Sequence, residues 1–263
     1  MIRQATLLPE TMTQCRRIIA DGGTIIDQKY MDRVIRTLKA QGIYTSCKFL
    51  ADANFAVKKD GSNAVSTLYD ISGNNNDAVQ ATGAAQPIWT AAQQNGKAGL
   101  VFDGSSSNLT SAAFASALSR PNTLIAVAKF TPVGTTARIF MDGILVTNRQ
   151  QLYYSGSVTR ETLYAGSSAT SSASGSAGSE TRLLVGTFNG VSSNLWSRGS
   201  QIITNGNAGT HTMTGVTLGG DYNATAVNIL NGWLAIGIVL NTALTTAQRQ
   251  SLEGLLNSYY AIY

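Results

Sequence analysis

The sequence is poor in the residues that most metal and nucleophilic sites require. It holds two cysteines, Cys15 and Cys47, which lack the spacing of metal ligands, and it shows no disulfide framework. Its single histidine, His211, lies between threonines in a polar stretch, and without a partnered base no serine is a credible nucleophile. We interpret both cysteines as small packed hydrophobic residues and the histidine as an ordinary surface residue.

Glutamate is equally scarce. The four glutamates, Glu10, Glu161, Glu180 and Glu253, are isolated in the sequence. A glycosidase needs two carboxyl groups that face each other across the scissile bond. On one strand face such acids would stand two or four residues apart, and no predicted strand carries that pair. We therefore predict that the chain is not an enzyme.

Long apolar runs are absent as well. The longest, Trp233–Leu240, is far too short to span a bilayer, so we expect no membrane segment. Charged residues and Pro9 interrupt the first twenty residues, so we predict no signal peptide.

Few residues are charged, and those that are charged are unevenly placed. Only 13% are Asp, Glu, Lys or Arg, whereas 26 of 263 are glycine, a balance typical of a β-sandwich with many turns. Residues 1–59 hold ten basic and five acidic residues, which accounts for the whole net charge of +5. Nucleic-acid binding is not indicated, because aromatic residues among these charges are few and no motif occurs. A solvated helix face is the favoured interpretation.

Residues 1–46 have the pattern of two short helices. Asp21-Gly22-Gly23 would end the first, and Asp27 can cap the second. Their apolar faces are predicted to consist of Met12, Cys15 and Ile19 in the first helix and Met31, Val34, Ile35 and Leu38 in the second. Faces this small must pack on each other, on the rest of the chain, or on another chain.

From about residue 47, short β-favouring runs alternate with turn signals. The predicted strands are Thr67–Tyr69, Gly99–Phe102, Thr123–Phe130, Ala137–Met141, Gln150–Tyr154, Arg182–Phe188, Ser193–Ser197, Thr214–Leu218 and Trp233–Leu240. Phe188-Asn189-Gly190-Val191 is the strongest hairpin prediction, with a type I′ turn. Residues 166–180 are of low complexity and predict a mobile exposed loop or, alternatively, a poorly packed edge strand and turn.

One amphipathic helix is predicted after the last strand. Thr245 and Gln248 have the spacing of a capping box. Its apolar face is predicted to consist of Leu252, Leu255, Leu256 and Tyr259.

Several patches carry a family resemblance. Leu68–Ala78 combines Asp-x-Ser-Gly with an Asn-rich loop, Gly99–Gly104 ends in an Asp-Gly turn, and Leu183–Gly199 is a central hairpin region. With the terminal strand and helix, residues 60–263 resemble laminin G-like, concanavalin A-like jelly-roll domains. The resemblance implies an all-β jelly-roll sandwich over residues 47–263, with a helical N-terminal arm and a C-terminal helix. It also implies binding of surfaces or glycans. Where many relatives have a glutamate this chain has Ile236, so that carboxylate's role is not carried over.

The N-terminal segment has a resemblance of its own. Ile19-Ala-Asp-Gly-Gly23 and the helix after it are similar to leading segments of bacteriophage head and tail surface proteins. This implies a virion protein, made in the host cytoplasm, whose residues 1–46 are an attachment arm to capsid or tail. The jelly roll would face outward as a decoration, fibre or adhesion module, with homo-oligomerisation left open. The alternatives are a carbohydrate-binding lectin-like module that acts alone and, less favoured, a glycoside hydrolase.

Two sets of candidate ligand-binding residues follow. Asp70, Asn74, Asn76 and Asp77 put oxygen ligands into one loop, where an Asx-rich turn is the favoured interpretation and a calcium site the alternative. Bound calcium would raise the melting temperature. For a host-surface glycan, the candidate contacts are Trp89, Asn108, Trp196, Tyr222 and Asn223, each with packing as the alternative role.

Overall fold

The computed structural model describes residues 6–131, 135–157, 159–171, 180–222 and 228–263. Within these ranges the helices are α1 (Pro9–Ala20), α2 (Gln28–Ala40) and α3 (Thr246–Tyr260). The strands are β1 (Thr24–Ile25), β2 (Cys47–Asp52), β3 (Ala56–Lys59), β4 (Val65–Leu68), β5 (Ala78–Val79), β6 (Ile88–Gln94), β7 (Lys97–Asp103), β8 (Leu109–Ser111), β9 (Asn122–Phe130), β10 (Arg138–Asp142), β11 (Gln151–Ser155), β12 (Arg160–Tyr164), β13 (Ser168–Thr170), β14 (Arg182–Phe188), β15 (Ser193–Ser197), β16 (Ser200–Gly206), β17 (Thr217–Leu218) and β18 (Asn231–Leu240).

The strands form two antiparallel sheets. The ten-stranded sheet has the order β1-β3-β4-β5-β8-β17-β10-β11-β12-β13. The eight-stranded sheet has the order β16-β15-β14-β9-β18-β7-β6, with β2 paired to β18. Large side chains from both sheets, such as Phe49, Phe130 and Phe140, fill one buried cluster between them, which we call the inner core. The predicted all-β sandwich is confirmed.

The eight-stranded sheet is buried on both faces. In β9, Leu124 and Ala126 belong to the inner core, whereas Ile125 and Val127 belong to a second cluster under the helices, which we call the outer core. A strand covered on both faces needs apolar side chains at successive positions. This explains why the run in β18 is continuous instead of alternating.

The face of α1 differs from its prediction. Ile18 is fully buried, whereas Ile19 is 64% exposed and Met12 is half-buried. The buried face also includes Thr11, whose hydroxyl donates a hydrogen bond to the buried Asp32 carboxylate at 2.7 Å. A polar residue on the packed face hides the true period from a search for apolar spacing, so the predicted face was wrong at these two positions.

The face of α2 agrees with its prediction. Asp27 caps the helix by accepting the N–H of Tyr30 at 2.9 Å, and Met31, Val34, Ile35 and Leu38 are all fully buried in the outer core. The chain between the helices also pairs with the sandwich, since β1 hydrogen-bonds to β3. Of the three alternatives, two hold: the helices pack on each other, as in the Thr11–Asp32 and Cys15–Met31 contacts, and on the rest of the chain. These side chains are therefore not a docking surface, which corrects that part of the attachment-arm prediction.

Helix α3 closes the same outer core. Its predicted capping box is present, with Thr245 and Gln248 each bonding the other's backbone N–H. The Tyr260 hydroxyl donates to the buried Asp52 carboxylate at 2.5 Å, and the ring of Tyr259 stacks on Tyr30 at 3.4 Å. These contacts join the two ends of the sequence. In the described part of the chain, no helix has the length and apolarity to cross a membrane.

The predicted hairpin at Phe188–Val191 exists, but its turn differs. Strands β14 and β15 pair, with Thr187 opposite Asn194, and a 3-10 turn over Gly190–Ser192 connects them. Asn189 has φ −145° instead of the positive φ of a type I′ turn, so that turn type was wrong. The extra residues let the Ser193 hydroxyl accept the Asn189 N–H at 2.9 Å.

Candidate functional site

The sequence-predicted glycan contacts do not converge. The Trp89 indole N–H donates to the Ala53 carbonyl at 2.9 Å, and Trp196 packs on the outer core with the Arg249 guanidinium 4.6 Å from its ring. Asn108 is buried, and its amide donates to the Ser106 carbonyl at 3.1 Å. Asn223 lies outside the described residues. Of the five, Tyr222 lines an open hollow together with other aromatic residues.

That hollow lies on the outer face of the ten-stranded sheet and has a volume of about 310 Å³. We call it the tyrosine cleft; its main lining residues are Arg149, Gln151, Tyr153, Tyr164, Asp221 and Tyr222. Strand β11 positions two of them by alternation, because successive side chains of a strand point to opposite faces. Its even-numbered residues, Leu152 and Tyr154, belong to the inner core, so its odd-numbered ones face outward.

Arg149 fixes two rings of the cleft. Its guanidinium carbon lies 5.1 Å from the ring centroid of Tyr164 and 4.5 Å from that of Tyr222. Both distances are within the range of a cation–π contact. The Tyr164 ring also meets His211 edge-on at 5.9 Å. Two of the three tyrosine rings are therefore held in place by contacts within the chain.

Asp142 anchors this arrangement from below. Its side chain is fully buried, and its Oδ2 accepts hydrogen bonds from Arg149 at 3.2 Å, from the Gln151 amide at 2.8 Å and from the Tyr222 N–H at 2.9 Å. Its Oδ1 accepts the Gly143 N–H at 2.7 Å. Burial raises the pKa of Asp142 to about 7, and these donors oppose that rise. The carboxylate is thus a structural anchor for the cleft wall.

A neighbouring hollow extends the cleft along the sheet. It has a volume of about 530 Å³ and shares Ala137 and Asn228 with the tyrosine cleft. Apart from the buried Arg138, its remaining lining consists of glycines and hydroxyl-bearing residues such as Thr135, Thr136 and Ser157. The two hollows together form a groove with aromatic walls at one end and hydroxyl groups at the other.

The candidate calcium ligands lie in one loop, but the carboxylate oxygens among them already have partners. Asp70 is buried, and its carboxylate accepts the N–H groups of Leu50, Ser72 and Asn76 at 2.9 Å each. Burial raises the pKa of Asp70, which these donors oppose. The Asp77 carboxylate accepts both terminal nitrogens of Arg17, at 2.6 and 3.1 Å.

The two asparagines of this loop also serve the backbone. The Asn74 amide donates to the Cys47 carbonyl at 2.9 Å, and the Asn76 amide donates to the Lys48 carbonyl at 2.8 Å. Within the described ranges, no three His, Cys, Asp or Glu side chains are grouped as a metal site. These hydrogen bonds are those of an Asx-type turn whose side chains also bond to the backbone of β2. The arrangement does not fit an open calcium site.

Sequence reasoning missed most of the tyrosine cleft. Tyr153 was not among the sequence-predicted contacts, yet it lines the cleft, whereas its neighbour Tyr154 belongs to the inner core on the opposite sheet face. The alternation of Gln151 and Tyr153 with Leu152 was the available signal. Arg149 and Asp142 gave no such signal, because their roles depend on contacts between separate strands.

No family model matches this sequence, and no curated protein matches it. Solved structures do match. Trypanosoma rangeli sialidase in complex with sialic acid aligns with a TM-score of 0.54 and 14% identity, over 87% of this chain and 38% of that one. The chain therefore spans well under half of the sialidase's length.

Two smaller proteins align equally well. Domain 4 of a GH43 extracellular arabinanase from Geobacillus stearothermophilus, in complex with arabinotriose, gives a TM-score of 0.56 and 13% identity over 80% of this chain and 98% of the domain. The botulinum neurotoxin serotype D binding domain gives 0.55 and 10%, over 81% of this chain and 51% of that one. At such identities the likeness shows the fold alone. Together with the two antiparallel sheets, it shows that this chain is an antiparallel β-sandwich.

Proposed function

We propose that this chain is a non-enzymatic carbohydrate-binding module whose tyrosine cleft holds a neutral sugar. One observation carries the proposal: Tyr153, Tyr164 and Tyr222 line a single hollow of about 310 Å³ on the open face of the ten-stranded sheet. A sugar ring has an apolar C–H face and a rim of hydroxyl groups. Tyrosine rings offer a surface for that face, and their hydroxyls bond to the rim.

The charges of the cleft favour a neutral ligand over an acidic one. Arg149 is paired with the Asp142 carboxylate in the cleft wall, and Asp221 adds a further acid to the lining. An acidic sugar would find no excess of positive charge here. The hydroxyl groups of a neutral sugar can bond to the hydroxyls of the cleft tyrosines and to the amide oxygen of Gln151, as in other pockets with a few convergent polar groups.

The same carboxylates support a binding role without catalysis. Glycosidases of the common type need two carboxyl groups on opposite sides of the scissile bond. Asp142 is fully buried, and both of its oxygens are engaged by donors from the cleft wall. Among the described lining residues the other acid is Asp221, which is also buried, so no two exposed carboxyl groups face each other across the cleft.

The structural comparisons support a sugar ligand in general terms. The arabinanase domain binds arabinotriose in its solved structure, and the sialidase binds sialic acid. We extend the class of ligand, a saccharide, to this chain and assign it to the tyrosine cleft.

A glycan array probed with the full chain tests the proposal. We expect competable binding of neutral glycans, weakened about tenfold by Tyr164→Ala or Tyr222→Ala, a difference of about 1.4 kcal/mol. Tyr263→Ala is the matched control, since that tyrosine is 49% exposed and is not part of the cleft lining. The proposal fails if no glycan binds, or if the control weakens binding as much as the cleft variants. Release of reducing ends from a bound polysaccharide would overturn the non-enzymatic part.

We also place the module on the surface of a bacteriophage virion. The support is the sequence resemblance of Ile19–Gly23 and of residues 60–263. Since the apolar faces of α1 and α2 are buried within the chain, attachment would use a different surface of the arm. Gold-labelled antibodies against the chain should decorate purified particles of the phage that encodes it. Particles that neither bind the antibody nor contain the chain by mass spectrometry would remove this placement.

A further inference from the structure

A second hollow lies where α2, α3 and the turn between β6 and β7 meet. It shares no lining residue with the tyrosine cleft. It has a volume of about 430 Å³. We call it the cationic cleft; its lining includes Asp27, Lys29, Arg33, Asn95, Lys97 and Tyr259. Nothing in the proposed function uses these residues.

Three cations converge on this cleft from two elements. Lys29 and Arg33 stand one turn apart on α2, and Lys97 begins β7. The Lys97 ammonium lies 4.1 Å from the ring centroid of Tyr259, and the Arg33 guanidinium lies 5.8 Å from the same centroid. One buried ring therefore holds two like charges close together.

The acid in the cleft is committed to other partners. Asp27 Oδ1 accepts the Tyr30 N–H at 2.9 Å, and its Oδ2 accepts the Tyr259 hydroxyl at 3.1 Å. Across the residues that the structure describes, none of the three cations forms an ion pair. The cleft thus concentrates positive charge, and such clefts attract anions.

Other cations of residues 1–59 do form ion pairs. Arg36 pairs with Asp32 at 2.6 Å, and Lys58 pairs with Asp21 at 3.3 Å. Lys39 likewise pairs with Glu10. The two unpaired cations of α2, Lys29 and Arg33, therefore both lie at one hollow. An ordinary solvated helix face is not expected to show this grouping.

We propose that the cationic cleft binds the phosphate or sulfate ester group of a small ligand. A tetrahedral oxyanion presents oxygens in several directions, which suits three cations that approach from different walls. The Arg33 guanidinium can donate two parallel hydrogen bonds, and the two lysines act as point charges. The positive end of α2, which begins at Gln28, adds to the attraction. The volume is sufficient for a sugar-sized body beside that group.

Calorimetric titration of the full chain at low salt tests this inference with three probes. We expect glucose 6-phosphate to bind, inorganic phosphate to bind more weakly, and glucose not to bind at this cleft. Binding should weaken as salt is added. Binding of inorganic phosphate alone would overturn the ester assignment, and binding of neither phosphate would overturn the site.

Charge-removing variants locate the binding. Arg33→Gln and Lys97→Gln should each weaken glucose 6-phosphate binding about tenfold, whereas Arg33→Lys and Lys97→Arg should retain most of it. Arg16→Gln is the matched control, because it removes the same charge from the exposed side of α1. An equal loss in the control would show general charge attraction only and would reject the site. Unchanged melting temperatures exclude misfolding as the cause, and Tyr222→Ala should leave this binding intact.

Discussion

The outer faces of the two sheets have different partners. The eight-stranded sheet turns apolar side chains such as Ile125 and Ile238 toward α1, α2 and α3, and the outer core fills the space between them. Around β10 to β13, the ten-stranded sheet turns half-buried tyrosines toward an open cleft instead. The comparison shows that one face of the sandwich is closed by the helices, whereas the other has an open cleft around these strands.

The largest expected effect comes from removing the cover of the closed face. Deletion of residues 1–46 should give an insoluble or molten chain, because it exposes the outer-core side of β9, β14 and β18 to water. Solubility, thermal melting and binding of a hydrophobic dye measure this. A soluble deletion variant that still melts cooperatively would show that the two faces do not differ in the way described.

Single truncations on the two faces should have opposite consequences. Ile238→Ala, in the outer core, should lower the free energy of unfolding by about 2–5 kcal/mol and leave glycan affinity unchanged. Tyr153→Ala, in the tyrosine cleft, should weaken glycan binding with a smaller loss of stability, since its side chain is only half-buried. Chemical denaturation and glycan titration of both variants check this. Loss of both properties in both variants would contradict the division of roles.

Stability should also depend on pH through a buried acid on the closed side. Burial raises the pKa of Asp52 from 3.8 to about 6, opposed by hydrogen bonds from Tyr260 and Asn54. The folded chain then holds a proton that the unfolded chain releases, so this group lowers the free energy of unfolding as pH rises from about 4 to about 6. The full difference is about 3 kcal/mol.

Asp52→Asn isolates that contribution. The variant keeps an acceptor for Asn54, which donates to Asp52 Oδ1 at 2.7 and 3.0 Å, but it cannot ionise. We expect the stability difference between variant and parent to change between pH 4 and 6 and to be constant above that. Asp60→Asn is the control, since Asp60 is exposed. A difference that does not vary with pH would reject the assignment.

The smallest expected effect concerns calcium. Because N–H donors occupy the Asp70 carboxylate and Arg17 occupies that of Asp77, melting temperatures should be equal in calcium and in chelator. Asp70→Asn should nonetheless destabilise the chain, by about 1–3 kcal/mol, as it weakens a buried acceptor of several N–H groups. A clear rise of the melting temperature with calcium would restore the metal interpretation.

The sequence predicted the parts of the fold that follow local rules. The capping box of α3, the Asp27 cap of α2 and the nine proposed strands all correspond to observed elements. Strand β16 was missed, and β13 was predicted only as the edge-strand alternative for residues 166–180, of which 172–179 lie outside the described residues. Each lies at the edge of its sheet and is rich in polar residues, so it has no apolar alternation to detect. Edge strands need less apolar surface because one side meets water.

The candidate site was less predictable. Tyr222 could be chosen from its sequence, but its partners in the cleft could not. Whether the odd or the even residues of β11 face solvent depends on which sheet the helices cover, and that is decided by packing between distant segments. The Arg149 clamp likewise requires Tyr164 and Tyr222, which come from different parts of the chain.

Because the eight-stranded sheet is buried on both faces, we expect its sequence to diverge slowly among homologues. Strands such as β14, whose seven residues are all buried, tolerate few changes, since nearly every substitution alters one core or the other. Tyr153 and Tyr164, at outward positions of β11 and β12, are only half-buried and carry less of this constraint. Over evolutionary time, ligand preference could drift through the tyrosine cleft while the scaffold stayed the same, so homologues should vary most where the groove is and least beneath the helices.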